Sequence, residues 1–110
     1  TLLASSAASD VYKRQALTPV IYRRTIDAAP EKFAVISKCL GGTNENDCVS
    51  VIEHLLDCLD LRTTLSREGV LAEDVEWMTK NAFKVSAAGI QNHPKVFTEE
   101  EVRRIYLEAL

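Results

Sequence analysis

His54 and Asp57 are the nearest thing in this chain to a metal-ligand pair. They stand three apart in a segment of helical period and share a face, which is half of the ligand set used in helix bundles. A metal site needs the complementary half, and no second pair at ligand spacing occurs. A surface histidine beside an acid is the simpler expectation. Glu45, Asn46 and Asp47 offer oxygen ligands, but the spacing and glycine of a calcium loop are absent, which leaves them as cap and first-turn charges. Gly41-Gly42-Thr43 lacks the Gly-Lys-Ser/Thr that completes a phosphate loop. Ser86 stands in Val-Ser-Ala-Ala, not in the G-x-S-x-G elbow of a seryl nucleophile. Cys39, Cys48 and Cys58 are odd in number and contain no C-x-x-C pair, and are expected as reduced thiols packed like small hydrophobes. His93 lies in a loop between two helices, where Pro94 biases it toward an extended backbone.

The elements that must position these groups are all helical; no alternating apolar segment of useful length suggests a strand. A first helix is expected from Ala16 to about Ile26, with Pro19 near its start. A second runs from Pro30 to Leu40, with Phe33, Ile36 and Leu40 on one face and Gly41-Gly42 as its stop. Asn44 or Thr43 caps a third helix reaching Leu61, whose stripe is Cys48, Ile52, Leu55 and Leu59, widened by Val49 and Leu56. Thr63 to Gly69 reads as a short helical turn with Leu65 inward. A fourth helix spans Ala72 to Ala88 with Val75, Met78, Ala82 and Val85 in register, and Gly89 ends it with Ile90 folding back. Phe33, Phe83 and Tyr106 are expected in the core, while Trp77 leans away from the fourth helix's stripe.

The last helix has the most explicit start. Thr98 and Glu101 stand at capping-box spacing, and Phe97 and Val102 at staple spacing. Glu99, Glu100 and Glu101 oppose the positive helix end. Val102, Ile105, Tyr106 and Ala109 form its buried face.

The chain has 110 residues, 46% apolar and 26% charged, with net charge −3. That mixture suits one globular domain. The scattered positive charges argue against nucleic-acid binding, which needs a basic face. No apolar run approaches the ~20 residues that span a bilayer. Residues 1–15, TLLASSAASDVYKRQ, begin without Met and resemble a translated tail on a gene fragment. A signal-peptide remnant is the rival reading, but the basic n-region is missing. The credible domain is residues 16–110.

Several landmarks occur in the order found in the iron-containing alcohol dehydrogenases. They are Pro19-Val20, then Ala28-Ala29-Pro30-Glu31-Lys32-Phe33, Leu40-Gly41, Leu65-Ser66 through Gly69-Val70, Glu73-Asp74, and Asn92-His93-Pro94 with Thr98-Glu99-Glu100. The chain resembles the carboxyl-terminal helical domain of that family. The resemblance implies an all-α bundle of the dehydroquinate synthase-like kind, forming part of a carboxyl-terminal domain. It also implies a parent with an amino-terminal nucleotide-binding domain and a cleft where iron, or another divalent metal, and NAD(P) meet a small alcohol or aldehyde. In that family the metal acts as a Lewis acid while hydride passes to or from the nicotinamide.

The family's last metal histidine falls just before the matching stretch, within residues 1–15, where no histidine stands. No catalytic, metal or cofactor residue is therefore carried over, and the 110 residues alone are expected to bind neither cofactor and to be inactive. The stretch Ser86 to Pro94 matches a loop near the substrate cleft, which nominates Gly89, Asn92 and His93. The implied parent is a cytoplasmic oxidoreductase, with no nucleic-acid or membrane partner and with homo-oligomerisation left open. A glycerol dehydrogenase or maleylacetate reductase relative is a nearby alternative. A stand-alone helical interaction module is the alternative from another class.

Overall fold

The computed structural model describes residues 2–110, with side chains described from residue 12 onward. Among the described residues six α-helices form the fold: α1 (Leu2–Thr25), α2 (Pro30–Cys39), α3 (Cys48–Cys58), α4 (Val75–Val85), α5 (Ala87–Gln91) and α6 (Glu99–Ala109). Single 3-10 turns at Ile26–Ala28, Glu45–Asp47 and Ala72–Asp74 lead into or out of them. Among the described residues there is no strand.

The long α1 is the spine. Its helix begins at Leu2 rather than near Ala16, and Pro19 falls inside it. Proline has no amide to give the carbonyl four residues back, which costs about 3 kcal/mol in a helix interior. Burial of Ala16, Pro19 and Val20 offsets that cost. Thr18 meanwhile donates its hydroxyl to the Arg14 carbonyl at 2.8 Å.

Two cores flank the spine. The larger joins Ala16 and Val20 to Leu65, Val70, Phe97, Val102, Ile105 and Ala109, so α6 lies across α1, with Met78, Ala82 and Phe83 of α4 behind it. The smaller joins Phe33, Cys48 and Ile52, with Tyr22 of α1, Ile26 of the 3-10 turn after it and Leu56 of α3. Tyr22 meets Phe33 edge-on, with ring centroids 5.1 Å apart. Leu65 is fully buried, and its amide donates to the Ala109 carbonyl at 2.8 Å, pinning the turn to the end of α6.

Helix ends explain where the structure departs from expectation. Gly41, at φ 98°, lets the Gly42 amide donate to the Ser37 carbonyl and the Gly41 amide to Lys38, closing α2 as a Schellman cap. The same cap closes α3 on a non-glycine residue. Asp60 takes φ 55°, and Leu61 donates back to Leu56 at 2.8 Å. The helix therefore stops at Cys58, short of Leu61. Leu55, at the edge of the stripe, and Leu59, past the helix end, are 41% and 57% exposed. Leu40 likewise emerges at the end of α2. Asn44 accepts from the Asn46 amide at 2.9 Å, but it caps the 3-10 turn, and α3 starts only at Cys48.

The expected helix from Ala72 to Ala88 is broken. Ser86, at φ −123° and ψ 22°, ends α4, and the Ile90 amide bonds to the Ser86 carbonyl as α5 begins. Gly89 is thus inside α5 and is not a cap. Val85 swings outward to 68% exposure, and Thr79 takes a buried place in the stripe, its hydroxyl donating to the Val75 carbonyl at 2.8 Å. Trp77 is exposed as expected, at 68%. Of the three free cysteines only Cys48 is packed; Cys39 and Cys58 face outward, because α2 and α3 bury their opposite sides.

Candidate functional site

The break at Ser86 matters because it folds α5 and the following loop over the groove between α1 and α6. The result is a cavity of about 250 Å³. Leu17 and Ile21 of α1, Val102 and Ile105 of α6, and Ala82 of α4 supply its apolar walls. Gly89 and Ile90 form its α5 side, and Phe97 lies where the chain enters α6. Three polar side chains reach this lining: Ser86, His93 and Tyr106. The volume lies just under the ~300 Å³ at which drug-sized pockets begin, and suits a molecule of a few heavy atoms.

Of the three nominated residues, Gly89 and His93 come together at this cavity. Asn92 does not. It is the exposed residue that ends α5, its amide donating to the Ala88 carbonyl at 3.0 Å. Ser86 and Tyr106 are additions. Tyr106 reads as a core aromatic in sequence, and only the packing of α6 against α1 shows that it also borders an open space.

His93 is held on both sides. Its ring lies 5.2 Å from that of Phe97, and Nδ1 is 2.9 Å from the Lys95 carbonyl oxygen. A carbonyl oxygen only accepts, so Nδ1 carries the proton and donates. The Lys95 amide, 3.4 Å from the same nitrogen, makes the longer contact and would donate to it only in the other tautomer. Nε2 therefore keeps its lone pair in the neutral ring. Lys95 is itself anchored, its ammonium 3.1 Å from an Asp27 carboxylate oxygen, which ties the loop to the end of α1. Burial pushes the Tyr106 phenol up, so it remains a neutral hydroxyl near pH 7. An imidazole lone pair, two hydroxyls and apolar walls can bind and orient a small, uncharged oxygen compound.

A larger open cleft of about 600 Å³ lies between α1, α3 and the loop. Its charges largely cancel in pairs: Arg23 with Glu53 at 3.1 Å, and Lys95 with Asp27. It offers no field of one sign and is a weaker candidate.

His54, weighed in the sequence against Asp57, has a different neighbour. Its Nε2 lies 3.5 Å from Cys58 Sγ, while Asp57 is engaged by Arg62 at 3.0 Å. Among the described residues, no group of three or more His, Cys, Asp or Glu side chains converges. These residues do not fit the iron site of the family suggested by the landmarks.

Comparison with known proteins agrees with the helix order. Over 85 residues the chain is 29% identical to a sulfoacetaldehyde reductase of Bilophila wadsworthia (strain 3_1_6), covering 68% of this chain and 22% of that protein. Its fold matches a point mutant of ADH/D1, an archaeal halo-thermophilic Red Sea brine pool alcohol dehydrogenase. The TM-score is 0.79 at 26% identity, over 87% of this chain and 27% of that one. The same enzyme bound to NZQ matches equally well. The chain spans about a quarter of the length of these relatives. The description "Fe-containing alcohol dehydrogenase family, C-terminal" matches residues 13–110, and the chain belongs to that family.

Proposed function

We propose that these 110 residues are the helical part of an NAD(P)- and metal-dependent oxidoreductase acting on a small alcohol or aldehyde. The metal ligands and nucleotide-binding domain lie in polypeptide outside this sequence. The family match over residues 13–110 carries the reading. The likeness of its fold to an alcohol dehydrogenase, at a TM-score of 0.79, supports it. In this reading the cavity bordered by Gly89, His93 and Tyr106 is the helical wall of the substrate cleft. Its apolar walls exclude water, and the His93 lone pair and Tyr106 hydroxyl orient the substrate oxygen. No helix among the described residues is long and apolar enough to cross a membrane. A cytoplasmic parent is part of the proposal, drawn from the family likeness. Of residues 1–15, expected as a foreign tail, the last three lie within the family match.

The exposed Trp77, Leu71 and Val85 favour a missing partner domain over a stand-alone module, since a self-sufficient bundle of this size has little reason to leave Trp77 at 68% exposure. The test is an assay of the isolated chain with Fe²⁺, NAD(P)H and small aldehydes, together with the genomic sequence upstream. The expected outcome is no turnover, and an upstream frame encoding a glycine-rich βαβ unit. Turnover by the isolated chain, or an in-frame stop directly upstream, sinks the proposal.

A further inference from the structure

The cavity beside α5 is cut into the larger core. Phe97, Val102 and Ile105 are buried members of that core, and all three also line the cavity. Leu17 and Ile21 of α1 and Ile90 of α5 add further aliphatic wall. Ser86, His93 and Tyr106 present little polar surface to the space. His93 and Tyr106 can satisfy one oxygen: a hydroxyl donates to the free imidazole nitrogen and accepts from the phenol. A second hydroxyl among aliphatic walls gives up its water partners and finds too few in return, which weakens binding. A methylene group gains instead, because it moves from water into apolar surroundings.

We propose that this cavity selects a monohydric aliphatic substrate, one oxygen on a short carbon chain, over a polyol. The inference rests on the proposed function, in which the cavity is the helical wall of the substrate cleft, and deepens it by choosing among small alcohols and aldehydes. The oxygen lies at His93 and Tyr106, and the carbon chain runs among Leu17, Ile21, Val102 and Ile105. The cavity volume of about 250 Å³ limits the chain to a few carbons. A glycerol-like substrate, with a hydroxyl on every carbon, does not match these walls.

The test titrates the 110-residue chain with propan-1-ol, butan-1-ol, pentan-1-ol and hexan-1-ol, then with butane-1,2-diol and glycerol, and follows backbone amide shifts by NMR. Affinity should rise about fourfold per added methylene and level off once the cavity is full. The shifts should concentrate at Ala82, Ile90, Val102 and Ile105, which line it. Butane-1,2-diol should bind about tenfold more weakly than butan-1-ol, and glycerol should give no localised shifts. Ala82→Leu fills the space and should shorten the longest chain accepted. Ile90→Ala enlarges it and should lengthen that limit, which decides the point if Ala82→Leu does not fold. Asn92→Ala, outside the lining, should leave the series unchanged. A flat series, equal affinity for the diol and the monoalcohol, shifts centred on the exposed Trp77, or an unchanged limit in Ile90→Ala overturns the proposal. Turnover of aldehydes by the isolated chain overturns the reading of the parent enzyme and leaves these affinities standing, so the two failures are distinct.

Discussion

Gly42 and Ser37 meet where α2 turns toward α3, and the contact has no slack. A Cβ on Gly42 would overlap Ser37 Oγ and lie 3.1 Å from Asp47 Cβ and 3.2 Å from the Ser37 carbonyl oxygen. Ser37 is fully buried, and its hydroxyl has no partner. Gly42→Ala should therefore cost about 1–3 kcal/mol by overpacking. Ser37→Ala removes an unsatisfied buried hydroxyl and should be neutral or stabilising by up to about 1 kcal/mol. The double variant should lose less than the sum of the singles predicts, because one substitution vacates the space the other needs. Urea denaturation of the four proteins measures this; strict additivity would show that the clash is not the cause.

Among the elements, α6 has its start written in sequence and realised in structure. Thr98 accepts from the Glu101 amide at 3.2 Å, and Glu101 accepts from the Thr98 amide at 3.1 Å. Phe97 and Val102 are both buried. Thr98→Ala should cost about 1 kcal/mol, read from a urea midpoint shift at constant slope. The helices that depart from sequence expectation do so at their ends. Ser86 breaks a run of good helical period, and Asp60 takes a left-handed conformation usually left to glycine. Both residue types lean toward helix margins, but that preference is too weak to say which serine or aspartate ends a helix. The candidate cavity owes its α5 wall to the Ser86 break, so the cavity was less legible than the core around it.

At the scale of the whole molecule, separate elements are clamped by ion pairs with one sign of pH dependence. Arg103 of α6 bonds Glu76 of α4 at 2.8 Å and Glu100 at 2.6 Å. The Arg103 hydrogen bond holds Glu76 below its ordinary 4.5, and Arg104 with Arg103 does the same for Glu100. Thr43 holds Asp47 below 3.8. A carboxylate depressed in the folded state stabilises fully above its unfolded value and loses that contribution as pH falls through the folded one. The melting temperature should hold from neutrality to about pH 5 and then fall steeply toward pH 3. Glu76→Gln should melt lower than the parent at neutral pH, with the gap closing in acid. Exposed pairs are individually weak, so the shape of the acid limb is the readout, not its depth. A gap that stays constant across the range would remove the Glu76–Arg103 pair from the explanation.

The all-α class, the order of the helices, the Thr98 cap and the apolar face of α6 follow from the residues themselves. Hydrophobic period and capping act over a few neighbouring positions, and a linear chain displays those directly. The nomination of Gly89 and His93 came from family likeness, not from any local pattern. Tertiary packing alone decided that Leu55 and Leu59 fall outside the core face of α3, where α4 broke, and that His93 and Tyr106 share a cavity while Asn92 does not. It also set Cys58 beside His54 on an open face. These outcomes depend on which surfaces compete for burial against α1, a competition between segments distant in sequence that no local spacing can encode.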